Sequence, residues 1–117
     1  MPRFVCQYNG VWFEWTTVAD APATFGMTKE EFIEYYADEY GRRDTGSTME
    51  ERMARAEAKG TSSMMDSSLE DLISSNRAGY RENYLTLPEI ERIYLIEKRE
   101  PVEGEGTKKW YGDEPGD

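Results

Sequence analysis

The alternation of apolar and polar residues at the start of the chain predicts a β-hairpin. Two runs rich in strand-forming residues, 4–8 and 11–15, flank Asn9-Gly10. Asn-Gly is the preferred two-residue hairpin turn because both positions accept a positive φ angle. The turn fixes the register and places six residues on one apolar face, as the pairs Tyr8–Val11, Cys6–Phe13 and Phe4–Trp15.

The second face of the hairpin is half polar. It pairs Val5 with Glu14 and Gln7 with Trp12. We therefore expect the first face to cover a core, with Cys6 and Phe13 buried, and the second face mostly to meet water, with Gln7 and Glu14 outside the core.

Helical spacing and capping residues predict short helices after the hairpin. Thr28 and Glu31 form a capping box before residues with helical spacing, and Gly41 supplies a C-cap. A second helix is expected from Ser47-Thr48 to about Lys59, and a third from Ser68. The predicted apolar faces of these helices carry Phe32, Ile33, Tyr36 and Tyr40, then Met49, Met53 and Ala56, then Leu69, Leu72 and Ile73.

Thr86-Leu87-Pro88-Glu89 predicts one more helical turn, and the run that follows is rich in strand formers. We interpret 92–98 as a strand that joins the hairpin, although so short a run is also compatible with a helix. The predicted fold class is α+β: a small antiparallel sheet, made of the N-terminal hairpin and a C-terminal strand, packed against two to three short helices.

This fold occupies residues 1–100 as a single domain, which suits a chain of 117 residues. Residues 101–117 form an acidic Gly- and Glu-rich tail, interrupted by Trp110-Tyr111. Two adjacent aromatic residues are unusual in a disordered tail, so we expect them to dock back on the sheet.

Composition excludes most catalytic chemistry. The chain has no histidine and one cysteine, so histidine-assisted nucleophiles and histidine zinc sites are impossible. Cys6 lies on the apolar face of the hairpin, where burial makes a thiol inert. We predict no enzymatic activity, no cofactor and no metal; a carboxylate- or metal-dependent enzyme is the weakest hypothesis, since close pairs are inevitable among 24 acids.

The formal charge of −10 favours a basic partner and opposes direct binding to nucleic acid or to an anionic membrane. Glu30, Glu34 and Asp38 recur every four residues along the first predicted helix, with Glu31 beside them. They form an acidic stripe with steps of about 6 Å. The stripe is either a solvated helix face or a surface that imitates a row of phosphates for a basic groove.

Two other places are candidates for binding. Trp12, on the half-polar hairpin face, is an anchor for a partner if it is exposed, unless the second helix or the tail covers it. Arg77 and Arg81 lie beside aromatic residues and suggest an alternative function, the binding or sequestration of a small ligand or nucleotide. Solvated arginines after a helix C-cap are the simpler interpretation.

These features together indicate a small acidic binding protein that inhibits or regulates a basic, nucleic-acid-binding partner. Small acidic inhibitors encoded by phages, nucleic-acid mimics among them, resemble this chain in size and charge only. The resemblance implies a viral anti-defence role, and it assigns no residues. The start of the chain has no apolar run of signal-peptide length, so we expect a cytoplasmic protein.

Overall fold

The computed structural model describes residues 3–40 and 49–107, and its centre is the predicted hairpin. Strand β1 (Arg3–Tyr8) pairs with β2 (Val11–Thr16) in the predicted register, with Cys6 opposite Phe13. The Asn9-Gly10 turn has the expected positive φ angles of 53° and 79°. The hairpin prediction is confirmed.

The third strand is a different segment from the one predicted. Strand β3 (Ala21–Pro22) pairs antiparallel with β2, which gives the order β1-β2-β3. The free edge of β1 is covered by residues 60–62, because Gln7 N–H donates to the Gly60 carbonyl at 3.0 Å and Ser62 N–H donates to the Val5 carbonyl at 2.8 Å.

Four α-helices are described, and their starts follow the capping residues. They are α1 (Lys29–Tyr40), α2 (Met49–Lys59), α3 (Leu69–Ile73) and α4 (Leu87–Ile90). The caps of α1, α3 and α4 form as predicted: the Thr28, Ser68 and Thr86 side chains accept from the Glu31, Asp71 and Glu89 amides. The predicted Gly41 C-cap and Ser47-Thr48 helix start lie outside the described residues.

The prediction of a strand at 92–98 is wrong, because α4 continues directly into a π-helix at Glu91–Ile96. Strand-forming residues are tolerated there because Ile93, Tyr94 and Leu95 are all buried, so packing overrides local preference. The Tyr94 hydroxyl donates to the Ala78 carbonyl at 2.6 Å, and the Tyr94 carbonyl accepts from the Gly26 amide at 3.1 Å.

The sheet lies between two helical layers, and a separate hydrophobic core fills each side. On the predicted apolar face, Cys6, Phe13 and Trp15 pack against α3, α4 and the π-helix. On the other face, Val5 and Trp12 pack against α1 and α2. The α+β class with a small antiparallel sheet is confirmed, whereas the expectation that one hairpin face mostly meets water is wrong.

The first residues of the predicted tail, 101–107, contact the body of the molecule. Thr107 forms an antiparallel bridge with Tyr84, and the Glu105 carbonyl accepts from the Tyr80 amide at 3.0 Å. Trp110-Tyr111 lies outside the described residues. Within 3–40 and 49–107, no helix is long and apolar enough to cross a bilayer.

Candidate partner-binding surface

The acidic stripe lies on the outward side of α1. Glu30, Glu34 and Asp38 are exposed, while Phe32 on the inward side is fully buried and packs on Trp12 with ring centroids 5.9 Å apart. None of the three carboxylates forms an ion pair with a described residue. Their charge therefore faces solvent.

Glu31 belongs to the same helix but has a structural contact. Its carboxylate accepts from the Thr28 amide at 2.9 Å, which completes the capping box. Lys29 beside it lies 3.4 Å from Glu57 and joins the start of α1 to the end of α2. Glu31 is exposed, but its position is fixed by the helix start.

Helix α2 divides its charges between two flanks. Exposed carboxylates are present at Glu50, Glu51 and Glu57. Two of its bases turn toward the following loop, where Arg55 Nε donates to the Ser62 carbonyl at 2.9 Å and Lys59 Nζ donates to the Asp66 carbonyl at 2.6 Å. Glu31 is held in the capping box, so we leave it out and call the other exposed carboxylates of the two helices the acidic helix face: Glu30, Glu34, Asp38, Glu39, Glu50, Glu51 and Glu57.

Trp12 is in the core and not on this surface. Its side chain is 2 % exposed, because α1 and α2 cover the hairpin face on which it lies. Lys29 Nζ lies 6.0 Å from its ring centroid. The interpretation of Trp12 as an accessible partner contact is wrong. Its side chain packs beneath α1 as part of the core.

Glu14 is also buried, contrary to the sequence prediction. Its side chain is 1 % exposed, and its carboxylate accepts hydrogen bonds from the Tyr35 hydroxyl at 2.6 Å and the Tyr40 hydroxyl at 2.7 Å. Arg3 Nη1 donates to the same carboxylate at 3.1 Å. A buried charge is tolerated when it is paired and hydrogen-bonded, as here.

The Glu14 cluster keeps its donors protonated. Burial, followed by the hydrogen bond to Glu14, raises the pKa of Tyr35 and that of Tyr40 above the ordinary tyrosine value. Interaction with Tyr40 is the largest cause that raises the pKa of Arg3. The cluster ties the last turns of α1 to β2, so it sets the position of the acidic stripe.

Arg77 and Arg81 are separated by their contacts. Arg77 forms ion pairs with Asp20 at 3.4 Å and Glu82 at 3.5 Å. The guanidinium of Arg81 lies 5.4 Å from the Tyr80 ring centroid, and its backbone has a left-handed φ of 55°. The partners of Arg77 already neutralise it, which weakens the idea of a shared anion site.

Cys6 lies in the core, as its place on the apolar face of the hairpin predicts. It is fully buried, and burial raises the pKa of its thiol to about 12. Within the described ranges, no group of three potential ligand side chains is placed to hold a metal ion.

Sequence reasoning missed one exposed apolar feature, the pair Met64 and Met65. The composition of the serine-rich segment 61–68 is typical of a flexible connector and does not single out the two methionines. The exposure of Met64 and Met65 is seen only in the structure, where Thr61, Ser62 and Ser63 are buried and the two methionines that follow them are exposed.

Comparison of the chain with protein-family models, with curated proteins and with solved structures finds no match.

Proposed function

We propose that this protein is a non-enzymatic binding protein whose acidic helix face docks on a basic, nucleic-acid-binding protein and inhibits or regulates it. The observation that carries the proposal is the row of exposed carboxylates at Glu30, Glu34 and Asp38, unpaired with any described residue. A protein that neutralises phosphates in its usual ligand presents the cations that such a row would meet.

The helix that bears the row is attached to the hairpin at two points. Phe32 packs on Trp12 at one point, and Tyr35 and Tyr40 bind Glu14 at another. A surface held in its binding conformation loses little conformational entropy on association. The acidic stripe is therefore presented as a fixed array of charges and not as a mobile segment.

Mimicry of nucleic acid is the form of inhibition that this array supports best. Steps of four residues along α1 separate the carboxylates by about 6 Å. We propose a role of the phage anti-defence type, in the cytoplasm, where such a mimic would meet its target. The protein itself would not bind nucleic acid, because its net charge of −10 repels phosphate.

The test is capture from a bacterial cell extract on the immobilised protein, with the retained proteins identified by mass spectrometry. We expect the retained proteins to be basic and to be released both by salt and by excess duplex DNA. The triple variant Glu30→Lys, Glu34→Lys, Asp38→Lys should not retain them.

A matched variant separates the stripe from total charge. Glu70→Lys, Glu100→Lys and Glu103→Lys make the same change of charge at exposed sites elsewhere in the chain and should leave capture intact. Retention that resists duplex DNA and survives the α1 substitutions would contradict the proposal.

The binding of a small ligand or nucleotide through Arg77 and Arg81 stays a prediction with less support. Arg77 lies within ion-pair distance of Asp20 and Glu82, so a phosphate would have to displace those carboxylates.

A further inference from the structure

Met64 and Met65 are presented to solvent side by side. They are 71 % and 92 % exposed, and Met65 is the most exposed of the large hydrophobic residues described. An apolar pair of this kind costs solvation free energy in the isolated protein. Clustered exposed apolar side chains mark interaction sites more often than single ones do.

The loop that carries the methionines is tightly hydrogen-bonded. Ser62 exchanges hydrogen bonds with Val5, through its own amide at 2.8 Å and through its hydroxyl, which accepts from the Val5 amide at 2.9 Å. Ser63 Oγ donates to Asp66 at 2.7 Å and accepts from the Met65 amide at 3.2 Å. The backbone under the methionines is therefore fixed before any partner arrives.

Basic groups surround the same place. Phe4, Arg52, Arg55, Ser62, Met64 and Met65 line a shallow depression of about 260 Å³, which we call the methionine pocket. Arg55 already donates through Nε to the Ser62 carbonyl, whereas Arg52 makes no ion pair with any residue in the described ranges. Arg52 therefore places a cation beside exposed apolar side chains, in a chain whose net charge is −10.

We propose that the methionine pocket binds an acidic segment of a protein partner in which an aromatic side chain stands next to a carboxylate. Thioether sulfurs make favourable contacts with aromatic rings, and flexible methionines adapt to the shape of an inserted side chain. Arginine pairs with a carboxylate through parallel hydrogen bonds. The occupant is thus apolar at its centre and negative at its edge.

This site is distinct from the acidic helix face. The carboxylates of α2 are at Glu50, Glu51 and Glu57, whereas Arg55 turns toward the loop of the methionine pocket. The two surfaces have opposite charge, so the pocket takes a ligand that the acidic helix face would repel.

The test is NMR of the methionine methyl groups in the full chain, titrated to millimolar concentration with the peptide acetyl-Asp-Phe-Leu-Asp-amide. We expect the Met64 and Met65 signals to shift, and the signal of the buried Met53 to stay in place. The peptides acetyl-Lys-Phe-Leu-Lys-amide and acetyl-Asp-Ser-Ser-Asp-amide should bind at least about tenfold more weakly.

Single substitutions test whether the peptide binds at the methionine pocket. Arg52→Glu and Met65→Gln should each weaken the acidic aromatic peptide by about tenfold, whereas Lys98→Glu, the same charge reversal at an exposed site elsewhere, should not. Absence of shifts, or equal shifts with the acidic and basic peptides, would overturn the proposal. Two results without peptide would also overturn it. Methionine signals that shift on dilution would identify a second copy of the chain as the occupant, and signals that shift on Trp110→Ala would identify the chain's own C-terminal residues.

Discussion

At the scale of single residues, Glu14 shows what the alternating pattern of the hairpin predicts and what it does not. Its place opposite Val5 follows from the Asn9-Gly10 turn, and that register is correct. Its burial depends on Tyr35 and Tyr40, more than twenty positions away, whose hydroxyls meet its carboxylate only after α1 has packed on the hairpin. An alternating pattern fixes which residues share a face and carries no information about what covers that face.

Glu14→Gln should lower the free energy of unfolding by about 2 kcal/mol, because the NH₂ group of the glutamine side chain would face a donor that now binds a carboxylate oxygen. Tyr35→Phe should cost about 1 kcal/mol, since Tyr40 and Arg3 still satisfy Glu14. Urea unfolding checks both values. Glu34→Gln on the exposed side of α1 is the control and should change stability little; equal stabilities for Glu14→Gln and the control would contradict the burial of this charge.

Cys6 gives a second test at this scale. Its thiol is fully buried and its pKa is raised to about 12, so both access and thiolate formation are suppressed near neutral pH. A thiol reagent should modify the native protein at least about a hundredfold more slowly than the protein in urea. Rapid labelling of the native protein would show that the face of the hairpin bearing Cys6 and Phe13 is open.

At the scale of elements, helix starts were predictable and one helix interior was not. The Thr28, Ser68 and Thr86 caps are local signals, and a helix begins after each of them. Residues 92–98 contain strand formers, but the capping box at Thr86 begins a helix that runs on to Ile96. A helix that is buried on several sides and a central strand both contain a short run of consecutive apolar residues, so such a run does not distinguish them.

The segment after the π-helix is fastened by Glu105. Its carboxylate receives two parallel hydrogen bonds from Arg99, both 2.8 Å long, and one from the Val102 amide at 2.8 Å. These contacts, with Arg99 the largest cause, lower the pKa of Glu105 from 4.5 to about 2. Its backbone carbonyl meanwhile holds the amide of Tyr80.

Glu105→Gln should loosen this segment and speed amide exchange at Tyr80 and Tyr84 by about tenfold. Because the folded-state pKa of Glu105 is lowered, its stabilising contribution is present above pH 4.5 and is lost as the pH falls toward 2. The variant should lack this part of the acid sensitivity. Glu103→Gln, an exposed neighbour, should leave exchange and acid response unchanged; the same exchange rates in both variants would refute the role of Glu105.

At the scale of the whole molecule, the net charge was predictable, but its distribution over the surface was predictable only in part. Composition gives the net charge of −10 at once. The division of α2 into an acidic flank and a flank facing the Met64–Met65 loop depends on long-range contacts such as Arg55 with Ser62. The sequence likewise predicted Glu30, Glu34 and Asp38 as an outward row, whereas Trp12 became core once two helices covered both it and Val5.

The central claim is that the outward row on α1 attracts a basic partner. Its most direct test is the association rate with a purified captured partner, measured over a range of salt concentrations. Exposed charges are screened over about 8 Å at physiological ionic strength, so the rate should fall steeply as salt rises.

Two triple variants complete the measurement. The α1 variant, Glu30→Lys, Glu34→Lys, Asp38→Lys, should associate slowly and with a flat salt dependence. The control variant, Glu70→Lys, Glu100→Lys, Glu103→Lys, should behave as the natural sequence does. An association rate indifferent to salt and to the α1 substitutions would contradict the account.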